Sequence, residues 1–310
     1  MKALRFGSPP TTRAALVQDA TEPQAGPGEI LVQVHAAGIT PTEALWYPST
    51  HTKAGAPRLN AIPGHEFSGV VAALGAGAAG FSVGQEVFGM NDWFAEGASA
   101  EFCVTKPEWI APKPARLTHI EAASVPIGAL TAWQGLYDIA KLKSGDRALI
   151  HGGSGSVGVF AIQLARRAGA CVLTTASARN KVFLAQLGAE FFIDYKAERF
   201  EDLAKDIDVV FDGVGGEILK RSWSVLNTGG RLVTIAADHN GAADARAKQA
   251  FFIVEPKQAQ LMELAKMLDS GALKPVVDAE IPFDHAPEAY AGAFKANLGR
   301  GKMVLRVDRR

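Results

Sequence analysis

The sequence predicts an α/β protein in which a doubly wound parallel sheet is combined with a second, β-rich domain. Three observations support this prediction. The first third of the chain consists of short apolar runs between glycines, strand-like and helical segments alternate from residue 145 onward, and a glycine-rich turn follows an apolar run at residues 151–158. Short strands between turns are typical of barrel-like β domains, whereas strand–helix alternation is typical of a parallel sheet covered by helices.

The strand-like runs of the first third lie at residues 29–38, 67–75 and 83–89. Each contains glycine, which marks the turns of a β-rich, barrel-like domain. A long helical stretch at residues 119–142 follows and carries the chain into the alternating region. The first domain boundary is therefore predicted near residue 120.

Near the C-terminus the pattern returns to strands. Apolar runs at residues 275–277 and 301–307 have the composition of strands. We expect this tail to rejoin the β-rich domain. The predicted domains are one formed by residues 1–120 and 272–310, and one formed by residues 121–271.

The composition is that of a chain able to bury a large core. Of 310 residues, 48% are hydrophobic and 21% are charged, which is ample for two packed domains. Lys and Arg together number 32, as do Asp and Glu, so the formal net charge is zero. This balance argues against binding to nucleic acid or to an anionic membrane surface, and we expect neither partner.

The two cysteines, Cys103 and Cys171, are too few for a four-thiolate zinc site and lie far apart in the sequence. This usage is expected of a reducing compartment. The first residues have the pattern of a strand, and no apolar run approaches the length needed to span a membrane. We therefore expect a cytoplasmic protein.

The glycine-rich turn has the spacing of a dinucleotide-binding fingerprint. Gly153, Gly155 and Gly158 fit G-x-G-x-x-G, in which the first glycine permits a tight turn, the second allows a pyrophosphate to approach, and the third allows close packing of helix on strand. The amides that open the following helix would face the diphosphate. The predicted phosphate-binding residues are Gly153, Ser154, Gly155, Ser156, Val157 and Gly158.

The second strand of this unit ends in a basic segment. Residues 147–189 contain no aspartate or glutamate, whereas an NAD-dependent enzyme would place an acidic residue on the ribose about 20 residues past the glycines. Ser177, Arg179 and Lys181 stand there instead and suit a 2′-phosphate through charge-assisted hydrogen bonds. The pattern favours NADPH, and the alternative is a solvated basic loop that starts the next helix.

Five segments, taken in order along essentially the whole chain, are similar to motifs of one superfamily. They read IPGHEFSGVV at 62–71, VGQEVFG at 83–89, GGSGSVG at 152–158, DVVFDGVGG at 208–216 and GRGKMVL at 299–305. By these motifs the sequence resembles the medium-chain dehydrogenase/reductase superfamily. The resemblance implies a GroES-like catalytic domain, a Rossmann domain, an active site in the cleft between them, and a homodimer paired through the edge strand at 231–235.

The superfamily contains zinc alcohol dehydrogenases and zinc-free reductases of the quinone oxidoreductase type. Catalytic zinc needs three protein ligands, and Thr40 occupies the place of the first zinc cysteine. No second cysteine is present near Pro126, and residues 91–97 stand where the four-cysteine structural lobe would be. We expect a metal-free enzyme in which His65 packs and hydrogen-bonds at the cleft instead of binding zinc.

The resemblance to the zinc-free members implies a reaction. These members use NADPH to reduce a quinone or a C=C bond conjugated to a carbonyl, and aimed hydrogen-bond donors can stabilise the resulting enolate. Thr40 and Tyr47 are the candidate donors. Typical quinone reductases carry asparagine at the position of Thr40 and tyrosine at the position of Leu45, so the chain departs from the family pattern at both positions.

The remaining candidate residues are assigned by the same matching. Tyr195 and Val214 would lie against NADPH, the former at its adenosine end. An apolar pocket for a planar small-molecule substrate would include Trp46, His65, Trp93 and Phe252, although core packing is the alternative for each aromatic side chain. Two other functions stay open: an alcohol dehydrogenase or carbonyl reductase acting on C=O, and a cofactor-binding protein with little turnover.

Overall fold

The computed structural model describes residues 1–7, 15–236, 245–294 and 297–307. In this part of the chain the strands, in order, are β1 Lys2–Phe6, β2 Ala15–Asp19, β3 Ile30–Ile39, β4 Glu66–Leu74, β5 Glu86–Met90, β6 Phe102–Thr105, β7 Ile110–Pro112, β8 Arg147–His151, β9 Cys171–Ala176, β10 Phe191–Asp194, β11 Ile207–Asp212, β12 Leu226–Thr234, β13 Val277–Pro282 and β14 Lys302–Arg306.

The α-helices of the described residues are mostly short. They are α1 Tyr47–Thr50, α2 His119–Ala123, α3 Pro126–Trp133, α4 Gly158–Arg167, α5 Lys181–Leu187, α6 Phe200–Leu203, α7 Gly216–Ser222, α8 Ala245–Ala250, α9 Gln258–Asp269 and α10 Ala286–Tyr290. None of the helices in the described ranges is both long enough and apolar enough to cross a membrane.

The chain divides into two compact units. The first consists of Met1–Ile127 and Glu255–Arg310, and the second of Gly128–Val254. The predicted domain boundaries were at residues 120 and 271. The difference at the second boundary concerns α9, which the prediction placed in the second domain and which belongs to the first unit here. The side chain of Gln258 at the start of α9 donates to the carbonyl of Pro107 at 2.9 Å, and Asp269 at its end accepts from the amide of Arg116 at 3.2 Å. Both contacts hold α9 on the first unit.

In the first unit, β3 is the centre of the sheet. The strand order in the described residues is β13-β14-β3-β4-β5-β7, and β6 also pairs with β3. The antiparallel ladders align Met303 with Ile39 on one side and Phe67 with Ala37 on the other. The starts of β14 and β4 therefore flank the end of β3.

The second unit contains a five-stranded parallel sheet in the order β10-β9-β8-β11-β12 among the described residues. Its central strands are buried along their length, and Ala148, Leu149 and Ile150 are fully inaccessible. Burial on both faces is typical of parallel sheets covered by helices. The prediction of a doubly wound parallel sheet is confirmed, with β8 at the point where the strand order reverses.

The helical stretch predicted at residues 119–142 is divided into α2, α3 and a π-helical turn at Gln134–Ile139. A capping box between Thr118 and Glu121 starts α2. Pro126 follows the end of α2 and opens α3, because proline lacks the amide that a continuing helix requires. One predicted helix is therefore three segments.

Candidate functional site

The glycine-rich turn of the second unit connects β8 directly to α4. Gly152 leaves the strand with φ of +77°, a conformation that favours glycine. A Cβ on Gly153 would overlap the side chain of Thr174, and one on Gly158 would lie 2.7 Å from the Cα of Gly153. The first and third glycines of the motif are therefore required by close packing of the turn against its own unit.

Gly155, the middle glycine, has a different environment. Within 4 Å of a Cβ placed on Gly155, the only atom is the carbonyl oxygen of Gly152, at 3.3 Å. Gly155 is exposed, while Ser154, Ser156 and Val157 are half-buried around it. This open backbone beside the N-terminus of the ten-residue helix α4 fits the approach of a diphosphate, whose charge the helix terminus favours.

A groove of about 320 Å³ lies where β9 and its neighbour β10 end. Its lining combines residues from the two loops and consists of Ser177, Ala178, Arg179, Asp194, Tyr195 and Lys196. Asn180 donates to the Ser177 hydroxyl at 3.3 Å and closes the first loop. Predicted residues Ser177, Arg179 and Tyr195 are thus brought together, whereas Lys181 is exposed at the start of α5 and does not line the groove.

The loop after β11 is held by a buried carboxylate. Asp212 is inaccessible to solvent and accepts hydrogen bonds from the amides of Val214 and Gly215 and from the hydroxyl of Thr234, at 3.0, 3.1 and 2.8 Å. A Cβ on Gly152 would lie 3.3 Å from the Val214 side chain. The half-exposed Val214 therefore lies beside the glycine-rich turn, at the carboxyl ends of adjacent strands β8 and β11.

His151, the last residue of β8, ties these elements together. Its Nδ1 is 3.0 Å from the hydroxyl of Thr175 and its Nε2 is 3.0 Å from the hydroxyl of Ser222. Burial lowers the pKa of His151 to about 4, against a smaller opposing effect of the Asp212 charge. The ring is therefore neutral at pH 7 and links β8, β9 and α7 beneath the turn.

In the first unit, Thr40 is joined to two charged residues at the end of β3. The ammonium of Lys302 donates to the Thr40 hydroxyl at 2.9 Å and forms an ion pair with Glu66. Glu66 also accepts from the amide of Ile127 at 2.8 Å. The Lys302 and Glu66 side chains are 5% and 0% exposed, whereas Thr40 is half-buried.

The strand register explains this meeting. Because β14 and β4 pair with β3 on opposite sides, their first residues, Lys302 and Glu66, arrive beside the end of β3. Gly38 makes room, since a Cβ there would overlap the Glu66 carboxylate. Thr40 then leaves the strand and occupies the N-cap position of the 3-10 helix Pro41–Leu45, without a capping hydrogen bond from its side chain.

The same 3-10 helix carries a second buried carboxylate, Glu43, which contacts His65. The Nδ1 of His65 is 2.6 Å from Glu43 Oε1, and its Nε2 is 3.3 Å from the carbonyl oxygen of Ala95. Glu43 also accepts from the amide of Gly64 at 3.0 Å. Both ring nitrogens of the buried His65 are thus engaged by protein oxygens, as expected for a packed, hydrogen-bonded histidine.

Aromatic rings lie next to this histidine. The ring of Trp93 is 5.1 Å from that of His65 and 5.1 Å from that of Trp46, the latter in an edge-to-face arrangement. Tyr47 is more than half exposed and stacks on His51 at 4.5 Å. Of the first-unit candidates, Trp46, His65 and Trp93 form one cluster, whereas Tyr47 is involved in a different contact.

Phe252, the remaining candidate, belongs to the second unit. Its amide donates to the carbonyl of Thr234 at 3.2 Å, and its ring would lie 3.0 Å from a Cβ placed on Gly135. The ring is half-buried. Phe252 therefore lies beside the carboxyl end of β12 and next to Gly135 of the π-helical turn.

Residue-by-residue reading of the sequence gave no role to Lys302, Glu43, Lys196 or Asp212. Two signals were available. Lys302 is a single charge at the start of an apolar strand, and Glu43 follows Thr40 by three residues, which is one turn of a 3-10 helix. Neither signal identifies a partner, because the partners are distant in the sequence.

The donors around Thr40 do not fit catalytic zinc. A catalytic zinc site takes three histidine, cysteine or carboxylate ligands. Here the hydroxyl of Thr40 already accepts from an ammonium group, and both nitrogens of His65 face protein oxygens. Among the described residues, no group of three or more such side chains is arranged to hold a metal ion.

Two family models match the chain. The model described as alcohol dehydrogenase GroES-like domain matches residues 26–115, and the one described as zinc-binding dehydrogenase matches residues 187–305. The first match, together with the fold, confirms the prediction of a GroES-like domain. The words zinc-binding in the second description refer to the family. The side chains around Thr40 in this chain do not fit a zinc site.

Three similar proteins illustrate the range of relatives. NAD(P)H oxidoreductase RTN4IP1, mitochondrial, of Mus musculus is 30% identical over 91% of this chain and 82% of its own. 2-Methylene-furan-3-one reductase of Solanum lycopersicum is 32% identical over 89% of this chain and 71% of its own. The structure of the quinone oxidoreductase from Coxiella burnetii superposes with a TM-score of 0.88, at 31% identity, covering 99% of each chain.

Proposed function

Since the chain belongs to the medium-chain dehydrogenase/reductase superfamily, we propose that it is an NADPH-dependent reductase that acts without zinc on a quinone or on the C=C bond of an α,β-unsaturated carbonyl. Similarity to an NAD(P)H oxidoreductase, a quinone oxidoreductase and a furanone reductase supports nicotinamide-dependent reduction of this kind. The partner is therefore a small molecule.

The preference for NADPH is supported by the groove at the ends of β9 and β10. Arg179 and Lys196 contribute two cations there, and Ser177 contributes a hydroxyl. Such donors form charge-assisted hydrogen bonds with a phosphate. The diphosphate would lie on the open backbone at Gly155, and Val214 would line the path beyond it.

The observation that carries this proposal is the hydrogen-bond state of Thr40 in the first unit, which supports a role for this hydroxyl in the reaction. When bound, NADPH would supply a hydride to the β-carbon of the substrate and become NADP⁺; negative charge would develop on the substrate carbonyl oxygen until the α-carbon takes a proton. The Thr40 hydroxyl accepts from Lys302, so its own proton is available for donation to that oxygen. Donation to a developing oxyanion accelerates such a reaction without a metal.

The aromatic cluster of Trp46, His65 and Trp93 supports the proposed binding of a planar substrate. Trp46 and Trp93 are half-buried and meet edge to face, which leaves ring surface for stacking. His65 packs against Trp93 and is held by Glu43. These residues would orient the substrate, while Thr40 provides the hydrogen bond.

Product analysis tests this proposal. Chelator-treated protein is incubated with NADPH and an α,β-unsaturated aldehyde, which offers both a C=C and a C=O bond to the same hydride. We expect the saturated aldehyde as product, formed at the same rate without added zinc. The allylic alcohol would indicate a carbonyl reductase instead, and binding of NADPH without turnover on alkenals or quinones would indicate a cofactor-binding protein.

The proposed enzyme is a cytoplasmic homodimer. Support for the dimer comes from the sheet order, which leaves β12 with a partner on one side only among the described strands. An open strand edge is a common place for pairing across a two-fold axis. Light scattering after size-exclusion chromatography should give twice the chain mass of 32.7 kDa, and a monomer would contradict this part of the proposal.

A further inference from the structure

The ammonium of Lys302 is buried and faces the Thr40 hydroxyl. It lies at the start of β14, about 260 residues away from Thr40 in the sequence, yet its only recorded hydrogen bond among the described residues is to the Thr40 hydroxyl, at 2.9 Å. Its ion pair with Glu66 holds it there, because the Glu66 carboxylate is itself fixed by the amide of Ile127. Burying such a charge has a free-energy cost, which suggests a purpose beyond packing.

Elementary hydrogen-bond chemistry determines what this contact does. An ammonium group has three donors and no acceptor, whereas a hydroxyl has one donor and two lone pairs. Thr40 must therefore use a lone pair toward Lys302, and its proton cannot point back along the same contact. A hydroxyl that accepts from a cation is also a stronger donor, since hydrogen bonds in a chain polarise one another.

We propose that Lys302 is a positioning residue that orients and polarises the Thr40 hydroxyl, so that Thr40 donates a strengthened hydrogen bond to the oxyanion of the reacting substrate. This inference rests on the proposed reductase function and specifies the source of its electrostatic stabilisation. No bond to Lys302 or Thr40 forms or breaks. The positive charge is that of the buried Lys302 ammonium, and the ion pair with Glu66 fixes the position of this ammonium.

A set of variants tests the linkage between the two residues. Thr40→Val removes the hydroxyl at nearly constant volume and should lower kcat for an α,β-unsaturated aldehyde by about 100-fold, the usual cost of one oxyanion donor. Thr40→Ser keeps the hydroxyl and should retain most of the activity. The affinity for NADPH should be the same in both variants.

Lys302→Met alone would leave Glu66 buried and unpaired, which endangers folding. The double variant Lys302→Met/Glu66→Gln removes both charges together and avoids this problem. We expect kcat to fall at least 10-fold in the double variant. In a Thr40→Val background the same double substitution should cause no loss beyond that of Thr40→Val alone, because the charge acts only through the hydroxyl. Independent losses that multiply would overturn the proposal.

Lys113 provides a matched control. Its side chain is also 5% exposed and ion-paired, with Glu86 at 3.2 Å, and its other recorded acceptors are the carbonyls of Pro114 and Leu117. Lys113→Met therefore removes a comparable buried charge from the same unit without touching Thr40. Its kcat should stay within a few-fold of wild type, and a loss equal to that of the Lys302 double variant would mean that the effect is structural.

A binding measurement keeps the inference testable apart from turnover. 4-Nitrophenol changes its absorption spectrum when it ionises, so the phenolate bound in the presence of NADP⁺ reports stabilisation of an oxyanion. Wild type and Lys113→Met should bind the phenolate at least about 10-fold more tightly than Thr40→Val or the Lys302 double variant, by analogy with the loss of one donor. Equal affinities would overturn the role of Lys302 even if enone reduction is confirmed, whereas the expected pattern without enone reduction would overturn only the proposed function.

Discussion

The glycine-rich turn of the second unit and the Thr40 cluster of the first unit are built in opposite ways. The turn uses consecutive residues, 152–158, and its properties come from backbone geometry and from the absence of side chains. The cluster joins Thr40, Glu66 and Lys302 through side chains that only the β14-β3-β4 register brings together. A contiguous motif can be recognised in a sequence, whereas a side-chain cluster requires the fold.

The two regions should therefore respond differently to substitution. In the turn, the effect of a change depends on how much room surrounds the backbone. In the cluster, it depends on whether the partners of a buried charge are kept. The following predictions test this contrast.

The largest effect is expected within the turn itself. Gly158→Ala places a Cβ 2.7 Å from the Cα of Gly153, where only backbone movement can relieve the overlap. We expect loss of NADPH binding and a decrease in the free energy of unfolding of roughly 2–3 kcal/mol, the usual cost of overpacking. Urea denaturation monitored by fluorescence measures the stability.

Gly155→Ala is the matched variant. Its Cβ meets only one carbonyl oxygen, at 3.3 Å, so the stability should change by less than about 1 kcal/mol. Affinity for NADPH should nevertheless fall strongly, since the methyl group occupies the side open to the diphosphate. Equal destabilisation by both substitutions would refute the distinction between a packed and an open glycine.

The next effect concerns the groove at the ends of β9 and β10. Replacing Arg179 and Lys181 together by alanine should weaken NADPH binding by roughly 30-fold or more, as expected for the loss of charge-assisted hydrogen bonds, and NADH binding little. NADH is the internal control because it lacks the 2′-phosphate. Equal losses for both cofactors in titrations would disprove the assignment.

Single substitutions then separate the sequence prediction from the structure. Lys196 lines the groove, whereas Lys181 does not. Lys196→Ala should therefore weaken NADPH binding more than Lys181→Ala. A larger loss for Lys181→Ala than for Lys196→Ala would instead support the prediction from the sequence, which named Lys181.

The last prediction is a pH dependence of stability that originates in His151. Its pKa is about 4 in the folded chain and 6.5 in model compounds, so the unfolded chain binds more protons between these values. Stability should fall as the pH is lowered from 6.5 to 4. His151→Gln should reduce this fall by on the order of 2 kcal/mol.

Two observations define the control for that experiment. Burial and the neighbouring His35 also lower the pKa of His119, to about 4, so part of the pH dependence should remain in the variant. Thr174→Val removes a buried hydrogen bond to the Ile150 carbonyl but no titrating group. It should lower stability equally at pH 7 and pH 4, and the same behaviour in His151→Gln would contradict the prediction.

The sequence by itself determined the two-part α/β architecture, the superfamily and the position of the glycine-rich turn. These features depend on hydrophobic periodicity and on glycine at fixed spacing, both of which are local. Ser177 and Arg179 were predicted from the basic segment after the second strand of the unit, and Tyr195 from the family resemblance. The three residues line one groove because the ends of neighbouring parallel strands meet at one edge of the sheet.

Only the tertiary structure decided which charged groups act together. The hydrogen-bonded pairs Thr40 and Lys302, and Glu43 and His65, are separated along the chain and meet through strand register and loop packing. Arg179 and Lys196 are likewise brought to one groove from two loops. It also assigned α9 to the first unit through its contacts with Pro107 and Arg116. The physical reason is that electrostatic and hydrogen-bond partners are chosen by distance in space, which local sequence patterns do not contain.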